Sequence, residues 1–153
     1  KATLVNRLAG RGDQVDDARG LVAHGGGSGS VFQGPSWLLW RTVADHLGLT
    51  ADIPFRGAAE WMTAVGLAGQ GGKVPGQLSL GMQRRVAVAR ALAIRPLILL
   101  LDEPFASLDQ ETAAEMRDLL ADLLAEHRTT TLIVTHDMTE LAGMGVDVRQ
   151  FSL

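Results

Sequence analysis

The 153-residue chain contains no cysteine, no uninterrupted apolar run of about 18 residues and no recognisable signal peptide. Without cysteine it can form neither disulfides nor thiolate metal sites, so secretion is not supported and the cytosol is the default compartment. The lack of a long apolar run argues against a membrane span, although such a chain could still dock on a membrane protein.

An excess of basic residues is also lacking, because the formal net charge is -3. We therefore expect no nucleic-acid partner. The arginines that do cluster lie along one predicted helix, and they are Arg84, Arg85, Arg90 and Arg95. We interpret them as a solvated helix face rather than a polyanion-binding patch.

The strongest local pattern is residues 97–109, which read LILLLDEPFASLD. Five consecutive aliphatics without alternation predict a strand that is buried on both faces of a parallel sheet covered by helices. The strand runs into Asp102 and Glu103. Because burying an unpaired carboxylate is costly, we expect these side chains to face a metal, a phosphate or solvent.

The rest of the chain fits one α/β domain with one core. Helices are predicted at 2–8, within 37–49, and at 58–67, 82–94, 110–127 and 139–141, and further strands at 31–32, 129–135 and 146–151. The glycine-rich stretch 10–30 indicates a flexible linker. A phosphate-cradling loop is rejected there, because no helix opening with Lys-Ser or Lys-Thr follows it.

The predicted topology gathers polar residues at one edge of the sheet. Strand, helix and strand form a right-handed crossover, so strands 97–101 and 132–135 should be parallel and end on the same edge. That edge would carry Asp102, Glu103 and His136, and also Gln33 if 31–32 is a third parallel strand.

Such a set suits hydrolysis of a nucleoside triphosphate. One carboxylate can hold Mg²⁺ through water, a second can polarise the attacking water, and a histidine can steady the phosphate charge. A structural interpretation without a catalytic role also stays open for each of these residues. Asp102 could be a cap or turn residue, Glu103 before proline a solvated turn, and His136 with Asp137 a helix start.

Four segments in order resemble the motifs of ABC-type ATPases. LILLLDEPFASLD resembles their Walker B segment and D-loop, LSLGMQRRVAVARAL their signature helix, VFQ their Q-loop and VTHD their switch histidine. The match covers about 31–148 and is most similar to bacterial importer subunits of the nitrate, sulfonate and taurine type. It implies a P-loop NTPase-like fold: one incomplete domain over 1–153, with a mainly parallel sheet, flanking helices and a helical subdomain at about 34–95 that carries the signature motif.

The resemblance also implies roles for single residues. Asp102 and Gln33 would bind Mg²⁺, Glu103 would activate the hydrolytic water and His136 would contact the γ-phosphate of ATP. Gln33 would also sense the nucleotide and reach a transmembrane permease.

Further nucleotide contacts are implied for Lys1, Thr3, Ser79, Gly81 and Asp109. Ser79 and Gly81 would meet the ATP of the opposite subunit, at a helix amino end that favours an anion. The implied assembly is a homodimer or a pair of ATPase subunits, peripheral on the inner face of the cell membrane.

The chain departs from the family pattern in its phosphate-binding parts. It begins at Lys1 inside a predicted helix, without the glycine-rich phosphate loop, so we expect a fragment. Ala2 lacks the hydroxyl expected on Mg²⁺, a loss of about 1.5–3 kcal/mol or roughly ten- to hundredfold. Leu80 places a bulky side chain where the phosphate must approach.

We therefore expect weak or absent hydrolysis. The alternative hypothesis is a non-catalytic interaction module derived from such an ATPase. A soluble ABC ATPase of translation or DNA repair is disfavoured by the importer-like wording of the motifs.

Overall fold

The computed structural model describes residues 28–31, 37–51, 55–141 and 144. The helix predicted at 2–8 and the strand predicted at 146–151 lie outside these residues, as do Lys1, Thr3 and Gln33. Statements about the fold below concern the described residues alone.

A parallel sheet forms the centre of the fold. Its strands β1 (Ser28–Val31), β2 (Ile98–Asp102) and β3 (Thr130–Val134) lie in the order β1-β2-β3, with β2 in the middle. The register pairs Val31 with Leu101 on one side of β2 and Asp102 with Val134 on the other. The predicted parallel pairing of the two later strands is confirmed, and the strand around Val31 is indeed the third.

The central strand is buried as predicted over only part of its length. Leu99, Leu100 and Leu101 are buried on both faces of the sheet, whereas Leu97 and Ile98 are exposed. The strand also begins and ends one residue later than the aliphatic run, because Asp102 still pairs with β3.

The first strand corrects the linker prediction at its end. Ser28 and Gly29 pair with Ile98 and Leu99, although the stretch 10–30 was expected to be linker throughout. Parallel pairing uses only backbone N–H and C=O groups, so small polar residues beside a buried strand can join the ladder without an apolar pattern.

The described residues also form four α-helices. They are α1 (Val43–Ala51), α2 (Phe55–Ala64), α3 (Leu80–Ala93) and α4 (Gln110–His127), and short 3₁₀ turns occur at Pro75–Gln77 and Met138–Leu141. The bounds of α4 agree with the prediction. Its apolar stripe is buried as expected at Met116, Leu120, Leu123 and Leu124.

Capping explains where two helices differ from the prediction. Helix α3 begins two residues early because the Ser79 hydroxyl accepts a hydrogen bond from the Met82 N–H. Helix α2 lies three residues earlier than predicted and ends before Gly66, whose φ is +72°. The Leu67 N–H then bonds back to the Met62 carbonyl at 2.7 Å and the Gly66 N–H to the Thr63 carbonyl at 2.9 Å, which is a Schellman C-cap.

Helix α3 occupies the middle of the helical layer and contacts α1, α2, α4 and β1. The expected solvated arginine face is therefore wrong for two of its members, since Arg84 and Arg90 are only 3% and 4% exposed. Arg84 precedes the buried Ala87 and Val88 by three and four residues, so it falls on the core stripe of the helix. Arg85 lies beside that stripe and forms a 2.6 Å ion pair with Glu115 of α4.

Arg90 packs on the segment that leads from the sheet to α1. Its guanidinium lies 4.8 Å from the centre of the Trp37 ring, and Trp37 in turn meets His46 edge-on at 4.9 Å. Burial lowers the pKa of Arg90 to about 10. The arginine thus joins α3 to the chain that follows β1.

We predict that Gly81→Ala lowers the free energy of unfolding by about 1–3 kcal/mol, despite the helix propensity of alanine. A methyl group at this position would lie 2.6 Å from Thr112 Cγ2 on α4. Thermal or urea unfolding measures the change. Gly76→Ala is the matched control, because its methyl group would meet nothing within 4 Å.

The double variant Gly81→Ala/Thr112→Ser removes the clashing methyl and should recover most of the loss. Equal unfolding midpoints for Gly81→Ala and Gly76→Ala would contradict this account of α3 packing.

Candidate functional site

The carboxyl edge of the sheet brings the predicted acidic residues and histidine together. Strand β2 delivers Asp102, which is partly buried, and the next residue continues the pairing because the Glu103 N–H donates to the Val134 carbonyl at 2.8 Å. Two residues after Val134 the chain reaches His136. The expectation that Glu103 and His136 meet at this edge agrees with the geometry.

The central contact of the site joins Glu103 and His136. The Nδ1 atom of His136 lies 2.8 Å from Glu103 Oε2, and because a carboxylate only accepts, Nδ1 is the donor. The hydrogen bond and the charge of Glu103 raise the pKa of His136 above its usual value. The side chain of Glu103 is 18% exposed and that of His136 is 73% exposed, so the pair opens to solvent through the imidazole.

Asp102 adds a second carboxylate directly beside the pair. Partial burial and the neighbouring Glu103 charge both raise the pKa of Asp102. Two carboxylates that repel each other favour a cation between or in front of them. Among the described residues, no three histidine or acidic side chains converge as a complete metal site, so a cation here needs ligands from elsewhere.

Local hydrogen bonds fix the segment that carries His136. The Thr135 hydroxyl donates to Glu140 Oε2 at 2.6 Å and accepts from the Asp137 N–H at 3.0 Å. Asp137 Oδ1 accepts from the Thr139 N–H at 2.9 Å and from the Thr139 hydroxyl at 2.6 Å, and these bonds lower the pKa of Asp137. Asp137 therefore caps the 3₁₀ turn that follows, which leaves His136 to contact Glu103.

Arg84, which the sequence pattern predicts to be exposed to solvent, stabilises the turn after β2. Arg84 donates to the carbonyl oxygens of Glu103 and Ala106 at 3.1 Å and 3.0 Å. The signal that could have found it is its spacing with Ala87 and Val88 on one face of α3. Pattern rules that treat every arginine as exposed miss such a position.

The signature-like residues lie at the amino ends of two helices. Ser79 is the N-cap of α3 and Gly81 lies in its first turn, as the resemblance implies, while Leu80 is 39% exposed. Asp109 is the N-cap of α4, and it accepts from the Thr112 N–H at 2.9 Å and from its hydroxyl at 2.7 Å. These bonds lower the pKa of Asp109.

Ser79 and Gly81 line an open cavity of about 380 Å³ together with Arg85, Thr112 and Glu115. Within the described part of the chain, neither Glu103 nor His136 lines this cavity. The structure thus separates the signature-like residues from the Glu103 and His136 pair. Gln33, Lys1 and Thr3 lie outside the described residues, so their predicted roles stay predictions.

In the ranges that the structure describes, none of the helices combines the length and the apolar character needed to cross a membrane.

Comparison with protein families and curated proteins gives consistent matches. The family described as ABC transporter matches residues 1–106. The aliphatic sulfonates import ATP-binding protein SsuB of Escherichia coli strain K12 is 41% identical over 150 residues, covering 94% of this chain and 59% of that protein. SsuB 1 of Pseudomonas syringae pv. syringae strain B728a is 42% identical over 143 residues, covering 92% of this chain and 59% of that protein. The chain thus spans 59% of the length of each relative.

A solved structure has the same fold. It is the dimeric post-hydrolysis state of the ATP-binding cassette MJ0796 bound to ADP and Pi, with a TM-score of 0.70 and 28% sequence identity. The match covers 92% of this chain and 71% of that chain. The predicted α/β fold, with a mainly parallel sheet and flanking helices, is confirmed.

We predict that Glu103→Gln lowers the pKa of His136 towards the usual value of about 6.5. The substitution removes the charge that favours the imidazolium, while an amide oxygen can still accept from Nδ1. An NMR titration of the His136 ring measures the pKa. Glu115→Gln removes a carboxylate that pairs with Arg85 instead, and it should leave the titration unchanged. A His136 pKa that is the same in both variants and in the parent would contradict the assigned contact.

Proposed function

The chain belongs to the ABC transporter family, and from this premise we propose that it is the ATP-binding and ATP-hydrolysing part of an importer that couples hydrolysis to solute uptake. The observation that carries the proposal is the 2.8 Å contact between Glu103 and His136 at the carboxyl edge of a parallel sheet. In open α/β sheets, ligands bind outside the carboxyl ends of the strands.

In this proposal Glu103 positions and activates the hydrolytic water. Its Oε2 is engaged by His136, and among the described residues nothing bonds its Oε1, which is therefore available to accept a proton from water. His136 uses Nδ1 for Glu103 and keeps Nε2 for the γ-phosphate. The raised pKa of His136 favours the imidazolium, in which both ring nitrogens donate and the positive charge faces the phosphate.

The substrate in this proposal is ATP with its Mg²⁺. The adjacent carboxylates of Asp102 and Glu103 supply the negative field that a cation needs, and the pKa of Asp102 is raised partly by that field. We assign Asp102 to the hydration shell of Mg²⁺, with Gln33 as a second ligand. Lys1 and Thr3 are assigned to the phosphates from the resemblance of the sequence.

We further propose that two such subunits enclose ATP head to tail. Ser79 and Gly81 lie at the amino end of α3, where free N–H groups and the helix dipole favour an anion. The contact of Asp109 with Thr112 places it near this end of α3, since Thr112 packs on Gly81. The homologous cassette MJ0796 is dimeric and bound to ADP and Pi in its solved structure.

The permease is the second proposed partner, and it would hold the protein on the inner face of the cell membrane. The relatives are named as import ATP-binding proteins. We assign residues 34–95, which include α1, α2 and α3, to a helical subdomain that carries the signature motif. Leu39 and Trp40, which follow the Q-loop-like segment, are 70% and 75% exposed, and large exposed apolar side chains of this kind favour a protein contact.

Ala2 and Leu80 predict a low parent rate of ATP turnover. We predict that Glu103→Gln lowers this rate by a further factor of about 10²–10⁴ while the protein still binds ATP, because the amide cannot accept the proton of the attacking water. Phosphate release by the purified protein measures turnover. Glu115→Gln is the control that removes an equal charge outside the site, and it should retain the parent rate.

Equal turnover in the parent and in Glu103→Gln would contradict the assignment of Glu103 as the catalytic carboxylate. That outcome would favour the non-catalytic module instead.

We predict that Trp40→Ala weakens association with the permease by about tenfold, as expected for an interface tryptophan. Co-purification with the membrane subunits measures association, and the melting temperature should stay unchanged because the side chain is exposed. Leu97→Ala is the control, because it removes a side chain of similar exposure, 74%, directly before the amino end of β2 and outside the segment that follows the Q-loop-like motif. Equal retention of both variants would contradict the proposed contact surface.

A further inference from the structure

Arg84 joins the signature-like end of α3 to the turn that carries Glu103. It lies one helical turn after Gly81, and its side chain is only 3% exposed. Its two terminal nitrogens donate to two carbonyl oxygens of one turn, Nη1 to Glu103 at 3.1 Å and Nη2 to Ala106 at 3.0 Å. The planar guanidinium thus hydrogen-bonds both ends of the four-residue segment from Glu103 to Ala106.

The turn that Arg84 grips has an unfavourable backbone conformation. Glu103, its first residue, has a φ of +48°, and Ser107, which directly follows the turn, has a φ of +62°. Both are non-glycine residues in the left-handed region. The turn is closed by the Ala106 N–H, which donates to the Glu103 carbonyl at 3.2 Å. Such conformations persist where the surroundings fix them, and the two bonds from Arg84 provide that support.

Packing alone does not account for an arginine at this position. Burial lowers the pKa of Arg84, so the charged form is disfavoured by its surroundings. Among the described residues no carboxylate pairs with it. A methionine or leucine would fill the same stripe of α3 without burying a charge. The position therefore fits a role in holding the two carbonyl groups.

We propose that Arg84 is a positioning residue that transmits movement of the Ser79 to Gly81 segment to the carboxylate of Glu103. The inference rests on the proposed function, in which Ser79 and Gly81 meet the nucleotide of the partner subunit and Glu103 acts on the nucleotide of its own. Arg84 then couples the two nucleotide sites within one subunit, because it lies on the helix that begins with Ser79 and Gly81 and its guanidinium holds the turn that carries Glu103.

A double-mutant cycle of Arg84 and Ser79 tests the coupling without any need for catalysis. Ser79→Ala removes the hydroxyl cap and loosens the amino end of α3. Hydrogen exchange of the Ala106 amide reports the turn, and the amide of Leu100, which is buried in the central strand β2, reports global opening.

The expected result is that Ser79→Ala accelerates Ala106 exchange by about tenfold in the parent and not at all in the Arg84→Met background. This acceleration is taken relative to Leu100 exchange in the same variant, because loss of the Ser79 cap also lowers global stability. Arg85→Gln in place of Arg84→Met is the matched control, since it neutralises the neighbouring arginine of the same helix, and the Ser79→Ala effect should survive it. Equal acceleration by Ser79→Ala with and without Arg84 would overturn the proposal.

Arg84→Lys provides a second arm in case the methionine variant does not fold. It keeps the charge but loses the planar fork, and an intermediate response of Ala106 to Ser79→Ala is expected. A full parental response in Arg84→Lys would also overturn the proposal.

Turnover supplies an independent readout, in which Arg84→Lys lowers kcat by about tenfold and leaves KM for ATP within about twofold. If the parent protein shows no turnover at all, the proposed function is contradicted. The hydrogen-exchange cycle still tests the role of Arg84 in that case.

Discussion

The parallel pairing of β2 with β3 is the constraint on which the site depends. The register sets Asp102 opposite Val134, and the Glu103 N–H extends the ladder by one more bond to the Val134 carbonyl. Because side chains alternate along a strand and both faces of β2 are buried, a slip by one residue would move each buried leucine to the opposite face, against neighbours that it does not pack on here. Packing on the two faces therefore favours this register, and the register in turn places Glu103 within reach of His136.

The site also depends on helix α3, which provides a buried polar contact between the signature-like segment and the turn that follows β2. An arginine in the core would be destabilising without partners, and Arg84 finds them in the backbone carbonyls at the two ends of the strained turn. The packing of Gly81 on Thr112 brings the same helix close to α4. A glycine with a nucleotide role in the proposal thus has a packing role as well.

Much of the fold follows from sequence pattern, and the exceptions have identifiable physical causes. The aliphatic run of β2, the stripe of α4 and the right-handed crossover are enough to predict the sheet edge and the meeting of Glu103 with His136. The start of β1 was missed because backbone pairing needs no apolar side chain. Buried Arg84 and the left-handed φ of Glu103 were missed because both depend on contacts between residues about twenty positions apart.

The most direct measurement of the central claim is the NMR response of the His136 ring nitrogens to MgATP. If Glu103 and His136 form the hydrolytic pair, saturating MgATP shifts the Nε2 resonance, because Nε2 gains a phosphate, and leaves the Nδ1 resonance close to its position without nucleotide, because Nδ1 keeps its bond to Glu103. Amide shifts at Ser79 and Gly81 should accompany this response if the head-to-tail dimer forms. Unchanged His136 resonances at saturating MgATP would contradict the account.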